Sequence, residues 1–430
     1  MMFEYKEKIM QEVKKFNVAN GVSLNFIDDK KYKTVSVSVY LSRRLDRAEV
    51  TKNSLLSSVL AQGTKNLPTA KDIDRYLKSL YGAAYSVSVQ KKGDVQAIAF
   101  EFSTLNEKYS EKGIIKKCFD MMFEFMFNPL TENGAFSKKY VDIEKANLET
   151  DINALINDKR AYADFRCIEE MCKGESTAIR EIGYIEDLAD IDEKNLYAHY
   201  KNIISSSPID IFVVGDVDAD EIYAYLNDAF SVLKPDIKPI KINVGKKDAD
   251  EIRYVDESMD VTQGKLSIGL RTNISPLDND YWALLVGNSI FGSGAHSKLF
   301  NNVREKLSLA YYAYSRISRY NSVMLIGSGI EFENFKKAKK EIFFQLEAVK
   351  KGDFSENDLF AAKQFIINRY KSYYDSPALM KDYYYGNILL GYDVSIEEAI
   401  EKASAVTAEE IIYAFCKINT DTVYFLKGRE

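Results

Sequence analysis

Histidine is nearly absent: His199 and His296 are the only two in 430 residues. Neither has a second histidine or a carboxylate three or four positions further on, the spacing that would put two ligands on one helical face. A zinc hydrolase assembled from this chain alone is therefore not expected. Cysteine is scarce as well, with Cys118, Cys167, Cys172 and Cys416. Cys167 and Cys172 stand five apart on a predicted helix with no histidine near them, a poor metal arrangement, and the four read as reduced core thiols. Positive charge is not in excess. The formal charge is −6 and the pI about 5.4, and the basic pairs Lys91-Lys92 and Lys116-Lys117 have acids close by, which argues against nucleic acid or an anionic membrane as partner. No stretch approaches 18 apolar residues, and the first twenty, MMFEYKEKIMQEVKKFNVAN, contain no apolar core of an export signal. A cytoplasmic location without membrane spans is the expectation.

What the chain does have is length and 46% hydrophobic content, enough for two cored domains, since single cores rarely grow past about 250 to 300 residues. It also repeats itself once. Residues 187–214 read as a helix capped near Asp192, a loop and a β-rich strand, and residues 402–427 read the same way at an offset of 215, half the chain. Strand-like segments open each half: VSLNFIDD and TVSVSVYLS in the first, IRYVDES and KLSIGLRT in the second. The Val/Ser alternation predicts a half-buried strand. Residues 84–103 predict a hairpin turning at Lys92-Gly93-Asp94. Helical periodicity predicts helices near 53–61, 69–80, 107–127 and 134–173, then near 279–290, 296–306, 333–351 and 355–384. The class is α+β, helices packed on mostly antiparallel sheets. The expected organisation is a domain at 1–233, a Pro- and charge-rich linker at 234–251 and a second domain at 252–430.

One segment stands out, FGSGAHSKLFNNVREKLSLAYY, Phe291 to Tyr312. Its glycines, Gly292 and Gly294, would let backbone approach a ligand closely. Arg304 and Tyr311, seven apart, offer a fork of donors and a phenolic hydroxyl. The alternative for Arg304 is an ion pair with Asp278 or Asp280. The segment lacks the spacing of a phosphate loop, and no G-x-S-x-G elbow surrounds its serines or Ser54, Ser57 and Ser58, so it points to peptide binding without reaction. His199 reads as a structural residue and His296 as a loop or cap residue.

FGSGAHSKLFNNVREKLSLAYY, together with NGVSLNFIDD, the helix leading to Gly63-Thr64-Lys65 and the later SLYGAAYSVSV, resembles the insulinase-like M16 peptidases, particularly the short bacterial type similar to mitochondrial processing peptidase subunits. The resemblance spans essentially the whole chain. It implies a catalytic signature H-x-x-E-H on the helix before that Gly-Thr, two histidines for zinc and a glutamate as base. Counting back from Gly63, those positions hold Ser54, Ser57 and Ser58. The third ligand is implied near Asp151, with Glu144 two turns earlier, and the family's edge-strand asparagine falls near Ala84 or Tyr85. Arg304 and Tyr311 match the family's pair that contacts the substrate backbone. The resemblance therefore implies a non-catalytic subunit without cofactor of its own, which holds a peptide for a zinc-bearing M16 partner. A stand-alone peptide-binding or scaffold protein is the alternative.

Overall fold

In a computed structural model, residues 13–231, 237, 239–249 and 251–429 are described. The first twelve residues of the leader reading, and 234–236, 238 and 250 of the expected linker, lie outside them. Residues 239–249 form neither helix nor strand.

The first half runs β1 (Val13–Ala19), β2 (Val22–Asp28), β3 (Thr34–Arg44), α1 (Val50–Ala61), α2 (Ala70–Ser79), β4 (Ala84–Lys92), β5 (Val95–Leu105), α3 (Ile114–Phe127), a short ladder of β6 (Thr131–Glu132) and β7 (Ala135–Phe136), α4 (Lys138–Ala154), α5 (Lys159–Met171), α6 (Glu193–Ser206), β8 (Ile209–Gly215) and α7 (Ala219–Phe230). The second half runs β9 (Arg253–Met259), β10 (Gly264–Arg271), α8 (Tyr281–Phe291), a π-helical segment Leu299–Lys306, β11 (Ala310–Ser318), β12 (Val323–Ile330), α9 (Phe335–Lys350), α10 (Glu356–Lys371), α11 (Pro377–Leu390), α12 (Ile396–Ala405), α13 (Ala408–Cys416) and β13 (Asn419–Gly428). The class is α+β. Among the described residues no helix is long and apolar enough to cross a membrane.

The internal repeat is visible in the sheets. The first is ordered β1-β2-β8-β3-β5-β4 and the second β11-β12-β10-β13-β9. Reading the second backwards, β9, β13, β10, β12 and β11 stand for β2, β8, β3, β5 and β4, with the parallel contact at the same place, β2 with β8 and β9 with β13. The other neighbours are antiparallel. Gly93, with φ +61°, makes the β4–β5 turn at the expected place.

The compact units do not follow the midpoint of the chain. One comprises 1–152, 180–241 and 377–389, and the other 153–179, 242–376 and 390–430. Hence α5 belongs with the second sheet and α11 with the first. This corrects the half-buried reading of β3. Val35, Val37, Val39 and Leu41 face the core, but Ser38, Tyr40 and Ser42 on the other face are buried too. There α11 covers them: Tyr385 stacks on Tyr40 with centroids 4.0 Å apart, its hydroxyl lies 2.8 Å from Ser42 Oγ, and Lys381 Nζ donates to Ser36 and Ser38 Oγ at 2.7 and 2.6 Å. In the second unit α5 seats Ala163 and Cys167 against Leu325, Tyr424 and Leu426, and Met171 fills the space over Gly269, where a Cβ would meet its sulfur at 2.5 Å.

The helix expected at 107–127 begins only at Ile114, after a 3-10 turn at Glu107–Tyr109 and a left-handed Gly113 at φ +85°, and two further helices expected to be continuous are broken. The first stops at Leu155–Asn157 and restarts at Asp158, which leaves helical geometry and accepts from the Arg160 and Ala161 amides. The second stops at Ser372–Asp375, and Ser376, extended at φ −139°, precedes Pro377 as the proline ring requires. Of the cysteines expected in the core, Cys118, Cys167 and Cys172 are buried and Cys416 is exposed, because it closes α13 at the surface.

Candidate functional site

Helix α1 carries the three serines, and each of the two buried ones spends its hydroxyl on backbone. Ser54 Oγ donates to the Glu181 carbonyl at 3.0 Å and Ser57 Oγ to the Ser54 carbonyl at 2.8 Å. Ser58 is half-buried. One face of the helix continues through positions i, i+4 and i+8 from Ser54 to Ser58 to Gln62. Gln62 Nε2 donates to Glu144 Oε1 at 2.9 Å, and Asn147 reaches the same oxygen at 3.1 Å. The carboxylate that meets the serine helix is therefore Glu144, which is buried, and not Asp151, which is exposed. Tyr85, near the implied asparagine position, donates to the Ala61 carbonyl at 2.8 Å.

His199 is absorbed by the same helix. Asn53 Nδ2 donates to Gln96 Oε1 at 2.8 Å, which leaves Asn53 Oδ1 to accept from His199 Nε2 at 2.7 Å, and Gln96 Nε2 continues to the Glu181 carbonyl at 2.8 Å. Burial pushes the His199 pKa down to about 4, so the imidazole is neutral across the physiological range. Among the described residues no three His, Cys, Asp or Glu side chains are grouped to hold a metal. What sequence reasoning missed here is the amide set Asn53, Gln62 and Gln96. Gln62 had a signal, its place two turns beyond Ser54.

The second segment is built from backbone irregularities. A Cβ on Gly292 would lie 2.4 Å from Ser315 Oγ, and the Ser315 amide donates to the Gly292 carbonyl at 2.9 Å, so this glycine admits β11. A Cβ on Gly294 would sit 2.8 Å from the His296 ring, whose Nε2 lies 3.1 Å from Ser289 Oγ; burial pushes the His296 pKa down. In the π-helical turn Leu299 and Val303 are buried, while Arg304 is exposed, its guanidinium 4.7 Å from the Phe300 ring and its Nε 3.4 Å from Glu305. The acids considered as its partners are taken: Asp278 by Lys246 at 2.7 Å and Asp280 by Lys417 at 2.5 Å. Along the β11–β12 ladder Ala310 pairs with Ile330 and Tyr312 with Gly329. Tyr311 is thus the extra residue of a bulge, turned outward and 58% exposed. Its hydroxyl donates to Glu331, which raises its pKa. The phenolic oxygen keeps lone pairs that can accept from a peptide N–H.

The profile described as Peptidase M16 inactive domain matches residues 190–366. A Bacillus subtilis strain 168 protein, named a probable inactive metalloprotease YmfF, is 38% identical over 95% of this chain and 96% of its own length. The chain belongs to the M16 peptidase family. The match to the inactive-domain profile and to an inactive relative makes it a non-catalytic member. A solved structure of a conserved protein from Enterococcus faecalis V583 matches at TM-score 0.89 and 30% identity, covering 97% of this chain and 99% of that one. The peptidase M16 inactive domain from Pseudomonas fluorescens shares the fold at TM-score 0.80 and 16% identity, over 97% and 98%.

Proposed function

We propose that this M16 chain is the peptide-holding subunit of a two-chain metallopeptidase, and that an M16 partner carrying H-x-x-E-H supplies zinc and the general base. The observation that carries the reading is the asymmetry between the two segments. On α1, Ser54 and Ser57 are buried and hydrogen-bonded to backbone, and Gln62 occupies the Glu144 carboxylate. Arg304 and Tyr311, by contrast, are presented to solvent by a π-turn and a bulge, irregularities that are over-represented at functional sites. Arg304 would donate to substrate carbonyls, and Tyr311, held by Glu331, would accept from a substrate amide. The subunit needs no metal of its own, and a cytoplasmic location suits its reduced cysteines.

Mixing the chain with an H-x-x-E-H M16 protein from the same cell and following cleavage of a quenched fluorescent peptide library tests this. Arg304→Ala is expected to lower kcat/KM about 10- to 100-fold and Tyr311→Phe about tenfold or less, the range of a lost charged and a lost neutral hydrogen bond. Unchanged rates in both variants overturn the proposal. Tight peptide binding with no zinc-bearing partner recovered by affinity purification would instead favour a stand-alone peptide-binding or scaffold protein. Stoichiometric zinc in the purified chain contradicts both readings.

A further inference from the structure

The second sheet stops one strand short of the first. In the first unit β2 is covered along its outer side by β1, which pairs with it antiparallel from Val13 opposite Ile27 to Ala19 opposite Val22. Strand β9 holds the place of β2 in the second sheet, and among the described residues its only strand partner is β13. No loop or helix among them gives its backbone a hydrogen bond either. None of its seven residues is buried, and Tyr254 is 60% exposed. A row of open amides and carbonyls of this kind is a template for one more strand.

Backbone irregularity does not protect this edge. Bulges interrupt β1 at Asn17/Ala19 and β11 at Ala310/Tyr312, whereas β9 pairs in unbroken register from Arg253 to Met259 and contains no proline, glycine or lysine. One of its cations also lacks a counter-charge. The Arg253 guanidinium donates to the Glu170 carbonyl and has no carboxylate partner among the described residues. Glu257 stands in the opposite position: it accepts from the Tyr162 and Tyr424 hydroxyls at 2.7 and 2.8 Å, and it shares Arg166 with Glu169 and Glu170. Three carboxylates thus draw on one guanidinium.

These charges select the occupant. A second copy, related by a two-fold axis perpendicular to the sheet, brings β9 against β9 antiparallel, the direction that β1 takes on β2, and keeps equivalent faces together. Centred on Tyr254, that pairing sets Glu251 against Glu257; centred on Asp256, it sets this carboxylate against itself. Both place like charges face to face. Centred on Val255, it brings Arg253 of each copy opposite Glu257 of the other and Tyr254 opposite Asp256, with the two valines meeting on the axis.

We propose that two copies of this chain join through β9, antiparallel and centred on Val255, so that the five-stranded sheets of the two second units become one continuous sheet. Nothing in the peptide-holding reading requires this contact, and it is tested without the peptidase.

The experiment is sedimentation equilibrium of the full chain alone, from about 1 to 100 μM, where a dimer of ordinary affinity is populated. A dimer is expected. Arg253→Glu, which sets like charges face to face at both ends of the contact, should raise the dimer dissociation constant about tenfold or more, with the circular dichroism spectrum as the check on folding. Register is read by cross-linking in a Cys416→Ser background, since the other three cysteines are buried. Val255→Cys should form an intermolecular disulfide with copper phenanthroline, because side chains directly opposite have Cβ atoms about 4.5 to 5.5 Å apart. Ser258→Cys, exposed on the same strand but facing Ile252 of the other copy, should not. A dimer that Arg253→Glu leaves unchanged, or cross-linking at position 258 and not at 255, would overturn the proposal. A chain that stays monomeric throughout would overturn it too, and if a chain starting at residue 13 then gave the Val255→Cys cross-link, the segment before it would be the occupant.

Discussion

Lys381 carries its ammonium group into a place where hydroxyls meet it. It is 2% exposed, its hydrogen bonds go to Ser36 and Ser38, and the nearby Glu101 carboxylate accepts from Ser38 at 3.3 Å. Burial pushes its pKa from 10.5 down to about 8, against an opposing pull from Glu101. The sign follows from proton counting. Between about pH 8 and 10.5 the unfolded chain holds a proton that the folded chain has released, so stability rises with pH across that window. Below pH 8 the buried charge costs roughly 3 kcal/mol. Lys381→Met should therefore be more stable than the parent at neutral pH, and its advantage should shrink toward pH 10.5. Denaturant unfolding at a series of pH values measures this, and an advantage that grows with pH would show that attraction to Glu101 outweighs desolvation.

Among the elements, α6 and α13 are the clearest products of the repeat. Asp192 accepts from the Lys194 and Asn195 amides at 2.9 and 2.7 Å, and Thr407 Oγ1 accepts from the Glu410 amide at 3.3 Å while the Thr407 amide donates to the Glu410 carboxylate at 2.8 Å. Asp192→Ala and Thr407→Ala should each lower unfolding stability by about 1 kcal/mol, additively because the sites lie in different units; thermal or denaturant unfolding of the single and double variants checks both. These caps, the β4–β5 turn and the strand order of each half were legible because local chemistry specifies them. The covering of β3 by α11 was not, since Val/Ser alternation says which side chains share a face and not what lies on it. The same limit applies at the serine helix. Counting from Gly63 found Ser54, Ser57 and Ser58, but the helix pattern put Asp151 ahead of Glu144, although Glu144 lies on the stripe Val141, Leu148 and Ile152 that is buried with it. A charged residue on a buried stripe was the available signal. The bulge at Tyr311 leaves no local trace in the sequence, since it depends on how β11 pairs with β12.

For the whole molecule, the exchange of α5 and α11 has a direct test. A fragment 1–233 lacks 377–389, and a fragment 252–430 lacks 153–179, so each misses a segment its unit contains. Neither should unfold cooperatively alone, and expressing the two together should restore a cooperative transition. Cooperative unfolding of either fragment by itself would show that the exchanged helix is dispensable. The arrangement also has a meaning in time. On the ribosome the first sheet is complete in sequence by Lys241, yet α11 follows only after residues 242–376, a delay on the order of ten seconds at about 5 to 20 residues per second. Meanwhile the seryl face of β3 has no cover, and the buried face of α5 has no sheet. The nascent chain holds two unfinished surfaces at once, so interception by chaperones or aggregation falls in that interval.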